Sequence, residues 1–199
     1  MVRIKRADRQ HVLDETRRRL LEAAADEFSR RGFTDANINT ISTSAGFAKG
    51  TIYNYFSSKR ALLVALIDEI ARQHLEFIQE RVLPEPDPVR RLERFYQAGF
   101  DFVSSSLPRA RILFTLINGP DEEIKSYIFV VYQPMFAFFS EQILAEGIQA
   151  GQFRAVEAAP TAQLLMTIYL GTASQLDEHG KPWLDPSQVS DLVLNGLHS

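Results

Sequence analysis

Residues 32–62 read GFTDANINTISTSAGFAKGTIYNYFSSKRAL. Two short helical segments flank Ala45-Gly46-Phe47-Ala48. Asn37 can cap the first segment, with Ile38 and Ile41 opening its buried face. Gly46 suits the sharp turn between them, because only glycine takes a positive φ without steric cost. The second segment, expected as a helix over 49–55, turns Ile52 and Phe56 inward and polar groups outward. This is the pattern of a helix-turn-helix, whose second helix can enter a DNA major groove.

The residue types on that outward face suit nucleic acid. Lys49 and Lys59 can neutralise phosphates, and Lys59 opens the next helix, whose free N–H groups also attract phosphate. Tyr53 and Tyr55 can reach phosphates through their hydroxyls. Gly50 permits close backbone approach, and Thr51 and Asn54 can meet base edges or thymine methyls. Arg3, Lys5, Arg6 and Arg9 form a basic arm ahead of the first helix.

Outward from this stretch the periodicity is helical almost throughout. Leu13, Leu20, Leu21, Ala24 and Phe28 make one apolar stripe, and Gly32 ends that helix after Arg30 and Arg31. Of the nine prolines, eight fall between helical patterns, as a residue without an N–H must. Pro134 is the exception and predicts a kink. No run alternates apolar and polar residues in the manner of a strand. The reading is all-α, with about nine helices near 12–31, 38–45, 49–55, 59–81, 87–106, 109–118, 121–148, 158–178 and 186–197. Asp185 before Pro186 is a start signal for the last.

Charge divides the 199 residues in two. The whole chain carries −3, but residues 1–60 hold 12 Lys and Arg against 7 Asp and Glu, and residues 61–199 hold 10 against 18. Opposite net charges of +5 and −8 suggest two domains, 1–60 and 61–199, with different partners. There is no cysteine, which removes disulfides, thiolate nucleophiles and cysteine-bound zinc. No apolar run approaches the ~20 residues that span a bilayer, and no signal peptide is visible, so the expected location is the cytoplasm. His11, His74, His179 and His198 share no ligand spacing, and Asp121-Glu122-Glu123 reads as an acidic first helical turn. The expectation is no enzyme, no catalytic residue, no metal and no cofactor.

The first ~60 residues resemble the DNA-binding domain of the TetR family of bacterial transcriptional regulators. The features that match are Ala24, Phe28, Gly32 and Phe33, then Ile41, Ala45-Gly46, Lys49-Gly50-Thr51-Ile52-Tyr53, Tyr55-Phe56, Ser58-Lys59 and Ala61-Leu62-Leu63. Three positions depart: Asn37 stands where Thr or Ser is usual, Ser42 where Ala is usual, and Ala48 where a Ser cap is usual. The resemblance implies a three-helix DNA-binding domain followed by a helical bundle that binds a ligand and dimerises through its last two helices. By position it implies DNA contacts at Asn37, Lys49, Gly50, Thr51, Tyr53, Asn54, Tyr55 and Lys59, and a homodimer on a palindromic operator in double-stranded DNA.

In the bundle, Gly147, Gly151 and Phe153 resemble the family's turn before its eighth helix. Candidate dimerisation residues on the last two helices are Leu165, Tyr169, Ala173, Val189, Leu192 and Val193. Ligand sites in bundles lie between helices and are mostly apolar with a few polar groups. The aromatic-rich middle therefore offers Phe100, Phe114, Asn118, Tyr132, Phe136 and Tyr169 as candidate liners for a hydrophobic or aromatic small-molecule effector. The expected function is a repressor released by that effector, its signal carried by the helix 59–81. The alternatives are a ligand-independent DNA-binding protein of the same fold, acting in chromosome organisation or cell division, and an all-helical enzyme or carrier.

Overall fold

The computed structural model describes residues 6–197, with side chains from residue 10 onward. Arg3, Lys5 and His198 lie outside the described residues, as do the side chains of Arg6 and Arg9. The protein is all-helical, with no β-strand among the described residues beyond one isolated bridge between Leu176 and Pro182. It forms two compact units, one through Glu69 and one from Ile70.

The first unit begins with α1 (Arg6–Asp35), which loses helical geometry at Gly32, where φ is +71°. Helix α2 (Ile38–Ser44) follows, and Asn37 caps it: its Oδ1 accepts from the Asn39 N–H at 2.8 Å and from the Thr40 N–H at 3.4 Å. The expected helix over 49–55 is instead a single 3-10 turn, Thr51–Asn54. Gly50 stands before it in the left-handed region (φ +89°), which no α-helical run can include, and the turn has no side-chain cap. Helix α3 (Lys59–Val82) then starts where Ser58 Oγ accepts the Ala61 N–H at 3.0 Å, and the boundary between the two units falls inside it.

The core of this unit is Leu20, Ala24, Phe28, Ile41, Ile52, Phe56, Leu62 and Leu66, all buried. Burying each large aliphatic or aromatic side chain contributes roughly 1.5–3 kcal/mol. Glu27 is buried among them and accepts the Asn37 N–H at 3.2 Å while pairing with Arg31 at 3.4 Å. That carboxylate fixes the end of α1 to the start of α2.

The second unit holds the remainder of α3 and helices α4 (Pro88–Ser105), α5 (Leu107–Ile117), α6 (Glu122–Val131), α7 (Gln133–Phe139), α8 (Glu146–Gln149), α9 (Ala158–Ala173) and α10 (Pro186–Leu197). Side-chain caps set the starts of α4, α6 and α10. Asp87 caps α4 with Pro88 in its first turn, and Asp121 Oδ1 accepts the Ile124 N–H at 3.0 Å. The long segment expected over 121–148 breaks at Pro134 with a bend of 44°, then passes through a π-helical turn, Ser140–Ala145, before α8. That bent pair apart, no helix among the described residues is long and apolar enough to cross a membrane.

The eighth expected helix, 158–178, stops at Ala173. Beyond it the Asp177 carboxylate accepts the N–H groups of His179 and Lys181, both at 2.8 Å, and Gly180 takes φ +81°. The core centres on α4, α9 and the π turn. Phe95 meets Phe139 edge-on at 4.5 Å, and the Tyr96 hydroxyl donates to the Leu165 carbonyl at 3.2 Å. Gly147 faces the Phe153 ring so closely that a Cβ would lie 2.2 Å from it.

Candidate nucleic-acid interface and apolar cavity

In the first unit, Ile52 and Phe56 are buried and anchor the 3-10 turn, while Tyr53 and Asn54 are exposed. Lys49 is exposed and makes no ion pair among the described residues. Gly50, Thr51, Tyr55 and Lys59 are half-buried. A turn of four residues at ~2.0 Å rise is shorter than the ~12 Å width of the major groove, so its exposed side chains can enter one.

Two devices hold the turn in place. Arg19 lies over the Phe47 ring at 4.8 Å and donates to the Ala45 carbonyl at 2.6 Å, closing the end of α2. Gly46 takes φ +82°, and a Cβ there would lie 2.6 Å from the Arg19 Nη2. Ser42 is fully buried, and its hydroxyl donates to the Ala48 carbonyl at 2.7 Å. The serine that departs from the family pattern at 42 thus secures the loop where the usual serine at 48 is absent.

Asn37 and Lys59 both have internal partners. The Asn37 side chain is occupied as the α2 cap. Lys59 Nζ donates to the carbonyls of Thr34 at 2.7 Å and Ala36 at 2.8 Å, and lies 5.1 Å from the Phe33 ring centroid. Two of its three N–H groups therefore join the loop between α1 and α2, leaving one for any phosphate.

In the second unit, a cavity of about 170 Å³ lies among α3, α4, α5, α6, α7 and α9. Four of the six expected liners border it: Phe114, Tyr132, Phe136 and Tyr169. Two do not. Phe100 is buried beside Tyr169 but turns away from the cavity, and Asn118 is exposed, its amide donating to the Phe114 carbonyl at 2.8 Å as α5 ends. The lining residues that the sequence reading missed include His74, Phe102, Lys125 and Met166. For His74 a signal was present: it falls on the apolar stripe Ile67, Ile70, Ala71 and Ile78 of α3.

His74 is the centre of the cavity's polar chemistry. It stacks on Phe102 at 4.2 Å with an interplanar angle of 5°. Its Nε2 lies 3.1 Å from the Tyr169 hydroxyl and its Nδ1 3.4 Å from the Tyr132 hydroxyl. Burial holds the imidazole neutral, pushed down to about 3, and pushes both phenols up. Lys125, the remaining polar liner, pairs with Glu122 at 2.8 Å. Among the described residues no group of three or more His, Asp or Glu could hold a metal ion.

Burial separates the candidate dimerisation residues into two groups. Leu165, Tyr169, Ala173, Val189 and Val193 are buried within the chain. Helices α9 and α10 are apolar on more than one face, so periodicity alone did not separate the inner stripe from the outer. Leu192 is 73% exposed, and Leu164 on α9 is 62% exposed.

Comparison with known proteins agrees with this architecture. Residues 20–66 match the family model of bacterial regulatory proteins of the tetR family. The chain is 35% identical over 121 residues to YdgC, an uncharacterized HTH-type transcriptional regulator of Bacillus subtilis, spanning 59% of this chain and 62% of that protein, under two thirds of its length. It is 24% identical over 174 residues to the fatty acid metabolism regulator protein of the same organism, covering 87% and 86% of the two. The structure of the Bacillus subtilis regulator FadR in complex with stearoyl-CoA superposes with a TM-score of 0.78 at 21% identity, over 89% of this chain and 95% of that one. The family match covers the segment that begins inside α1, turns at Gly46 and ends in α3: residues 20–66 carry the DNA-binding domain of bacterial regulatory proteins of the tetR family, and the chain has the fold of the FadR structure.

Proposed function

We propose that this transcriptional regulator acts in the cytoplasm as a homodimer on a palindromic operator in double-stranded DNA, and is a repressor released by a small hydrophobic or aromatic ligand. The observation that carries the reading is the exposed row Lys49, Tyr53 and Asn54 on a turn anchored by Ile52 and Phe56, within the basic part of the chain. Asn37, Gly50, Thr51, Tyr55 and Lys59 border that row. Two such turns related by a two-fold axis read half-sites one helical turn or more apart. The exposed Leu164 and Leu192 supply the apolar side chains for a self-complementary face between protomers.

The cavity supports release by ligand. Its ≈170 Å³ is close to the roughly 150 Å³ of an engineered apolar cavity that takes up benzene. A ligand with a long acyl chain, such as the one bound by the stearoyl-CoA relative, would require the aromatic lining to move. Helix α3 carries both Lys59, bonded to the loop before α2, and His74, in the cavity wall. A ligand that favours one position of α3 shifts the DNA-binding equilibrium only by its difference in affinity for the two states, typically 1–3 kcal/mol, or about 5–150-fold. The test is selection of a preferred duplex from random DNA, followed by its affinity with and without saturating ligand. Absence of any sequence preference removes the operator; unchanged affinity removes release by ligand.

A further inference from the structure

We propose that the cavity selects an apolar ligand carrying one uncharged carbonyl group, and that a hydroxyl of Tyr132 or Tyr169 donates a hydrogen bond to that carbonyl. This deepens the ligand-sensing reading above and rests on it.

The argument is a count of hydrogens. Neutral His74 has one N–H and one bare nitrogen, and each tyrosine has one O–H. The cluster therefore holds three hydrogens but makes two hydrogen bonds, His74 to Tyr169 and His74 to Tyr132. If Tyr169 donates to Nε2, the Nδ1–H is given to the Tyr132 oxygen and the Tyr132 hydrogen is left over. In the other tautomer the Tyr169 hydrogen is left over. Either way one phenolic O–H has no acceptor among the described residues, and both hydroxyl-bearing residues line the cavity. A buried donor without an acceptor is costly, so a ligand that supplies one gains over a ligand of the same shape that does not.

The acceptor's class follows from its surroundings. The other lining side chains offer no free charge: His74 is neutral and the Lys125 ammonium is paired with Glu122. A carboxylate placed beside His74 would lose its hydration against a neutral imidazole. An alcohol would accept, but would bring a further hydrogen into a wall made of Phe102, Phe114, Phe136, Met166 and Leu170. A ketone, ester or amide carbonyl accepts without adding a hydrogen on the same oxygen.

The test uses two probes of nearly equal shape, acetophenone and α-methylstyrene, which differ by C=O against C=CH2. Calorimetric affinities are measured for the full chain and for the variant His74→Leu/Tyr132→Phe/Tyr169→Phe, which removes all three hydrogens of the cluster, with circular dichroism to confirm folding. The ratio of acetophenone to α-methylstyrene affinity falls about fivefold in the variant, the worth of one typical hydrogen bond. The infrared carbonyl band of bound acetophenone lies below its position in alkane with the wild-type chain and moves up with the variant. If the triple variant does not fold, His74→Phe is compared instead: it leaves both phenolic hydrogens without an acceptor, and the preference for acetophenone rises. An unchanged ratio with an unshifted carbonyl band overturns the proposal while leaving a ligand-binding cavity. Binding of neither probe by the wild-type chain overturns both.

Discussion

Acidification from pH 7 to pH 5 should destabilise this protein through His74, and the substitution His74→Gln should remove that sensitivity. The imidazole is buried, is held neutral between two phenols and is pushed down from its ordinary 6.5 to about 3. The unfolded chain takes up a proton as pH falls below 6.5, and the folded chain takes it only near 3. His74 therefore contributes its full stability above pH 6.5, loses it between 6.5 and 3, and changes nothing further below. At pH 5 the unfolded form lies 1.5 units below its midpoint, so the loss relative to pH 7 is about 2 kcal/mol at 1.36 kcal/mol per unit. Glutamine retains one donor and one acceptor and does not titrate. Glu15, Asp177 and Asp185 are also held below their ordinary range, chiefly by hydrogen bonds from Arg18, the Lys181 backbone and Ser187. They are common to both proteins and titrate below pH 5, so they cancel. Urea unfolding of the two proteins at both pH values is the assay. A wild-type loss that matches the variant's within about 0.5 kcal/mol would refute a buried, neutral His74.

Four other perturbations test other parts of the structure. Gly46→Ala forces a side chain into positive φ against Arg19 and should cost about 1–3 kcal/mol in unfolding free energy, whereas Gly171→Ala, on an open face of α9, should be neutral or mildly stabilising. Lys49→Met should lower the slope of log affinity against log salt by about 0.9, the contribution of one phosphate; Lys59→Met should change that slope less and lower the melting temperature more. Gly99→Ala places a Cβ 2.5 Å from the Tyr169 ring, and should weaken apolar probes more than fivefold in calorimetry by displacing that ring. Leu164→Glu with Leu192→Glu should yield a monomer in light scattering at micromolar concentration while leaving the helical circular dichroism unchanged.

Local rules in the sequence reached the elements whose ends are set by neighbouring residues. Gly32, Asn37, Asp87 with Pro88, Asp121 and Asp185 act within a few residues, and each ends or caps a helix where such residues should. The element over 51–54 was missed as a 3-10 turn because its shape depends on Gly50 adopting φ +89°, a choice that apolar spacing does not record. Helix α9 stops at Ala173 because the following loop folds onto itself through Asp177 and through the Trp183 N–H, which donates to the Gln175 carbonyl at 2.9 Å. The exposed residues of the turn were legible, since they are contiguous in sequence and polar beside a buried Ile52 and Phe56. The cavity was half legible: aromatic residues were visible, but the meeting of His74, Tyr132 and Tyr169 joins positions 58 and 95 apart and is a product of packing alone. The same is true of the outer face of α9 and α10, where only the folded chain separates Leu164 from Leu165.

The π-helical turn at Ser140–Ala145 bears on how this chain tolerates changes in length. A π turn holds one more residue than the α turn it replaces, so the residues before and after it are out of α register by about one position. That offset sets the direction in which α8 leaves, and with it the seating of Phe153 over Gly147. Arg91 anchors the turn by donating to the Gln142 carbonyl at 3.0 Å. Deletion of the exposed Glu141 could be absorbed by tightening the turn to α geometry, a relief that an ordinary helix interior does not offer. Six π residues turn through about the same angle as five α residues, so α8 would keep its direction and Gly147 its place under the Phe153 ring. Loss of one residue here would thus preserve both the helix and the corner that follows it.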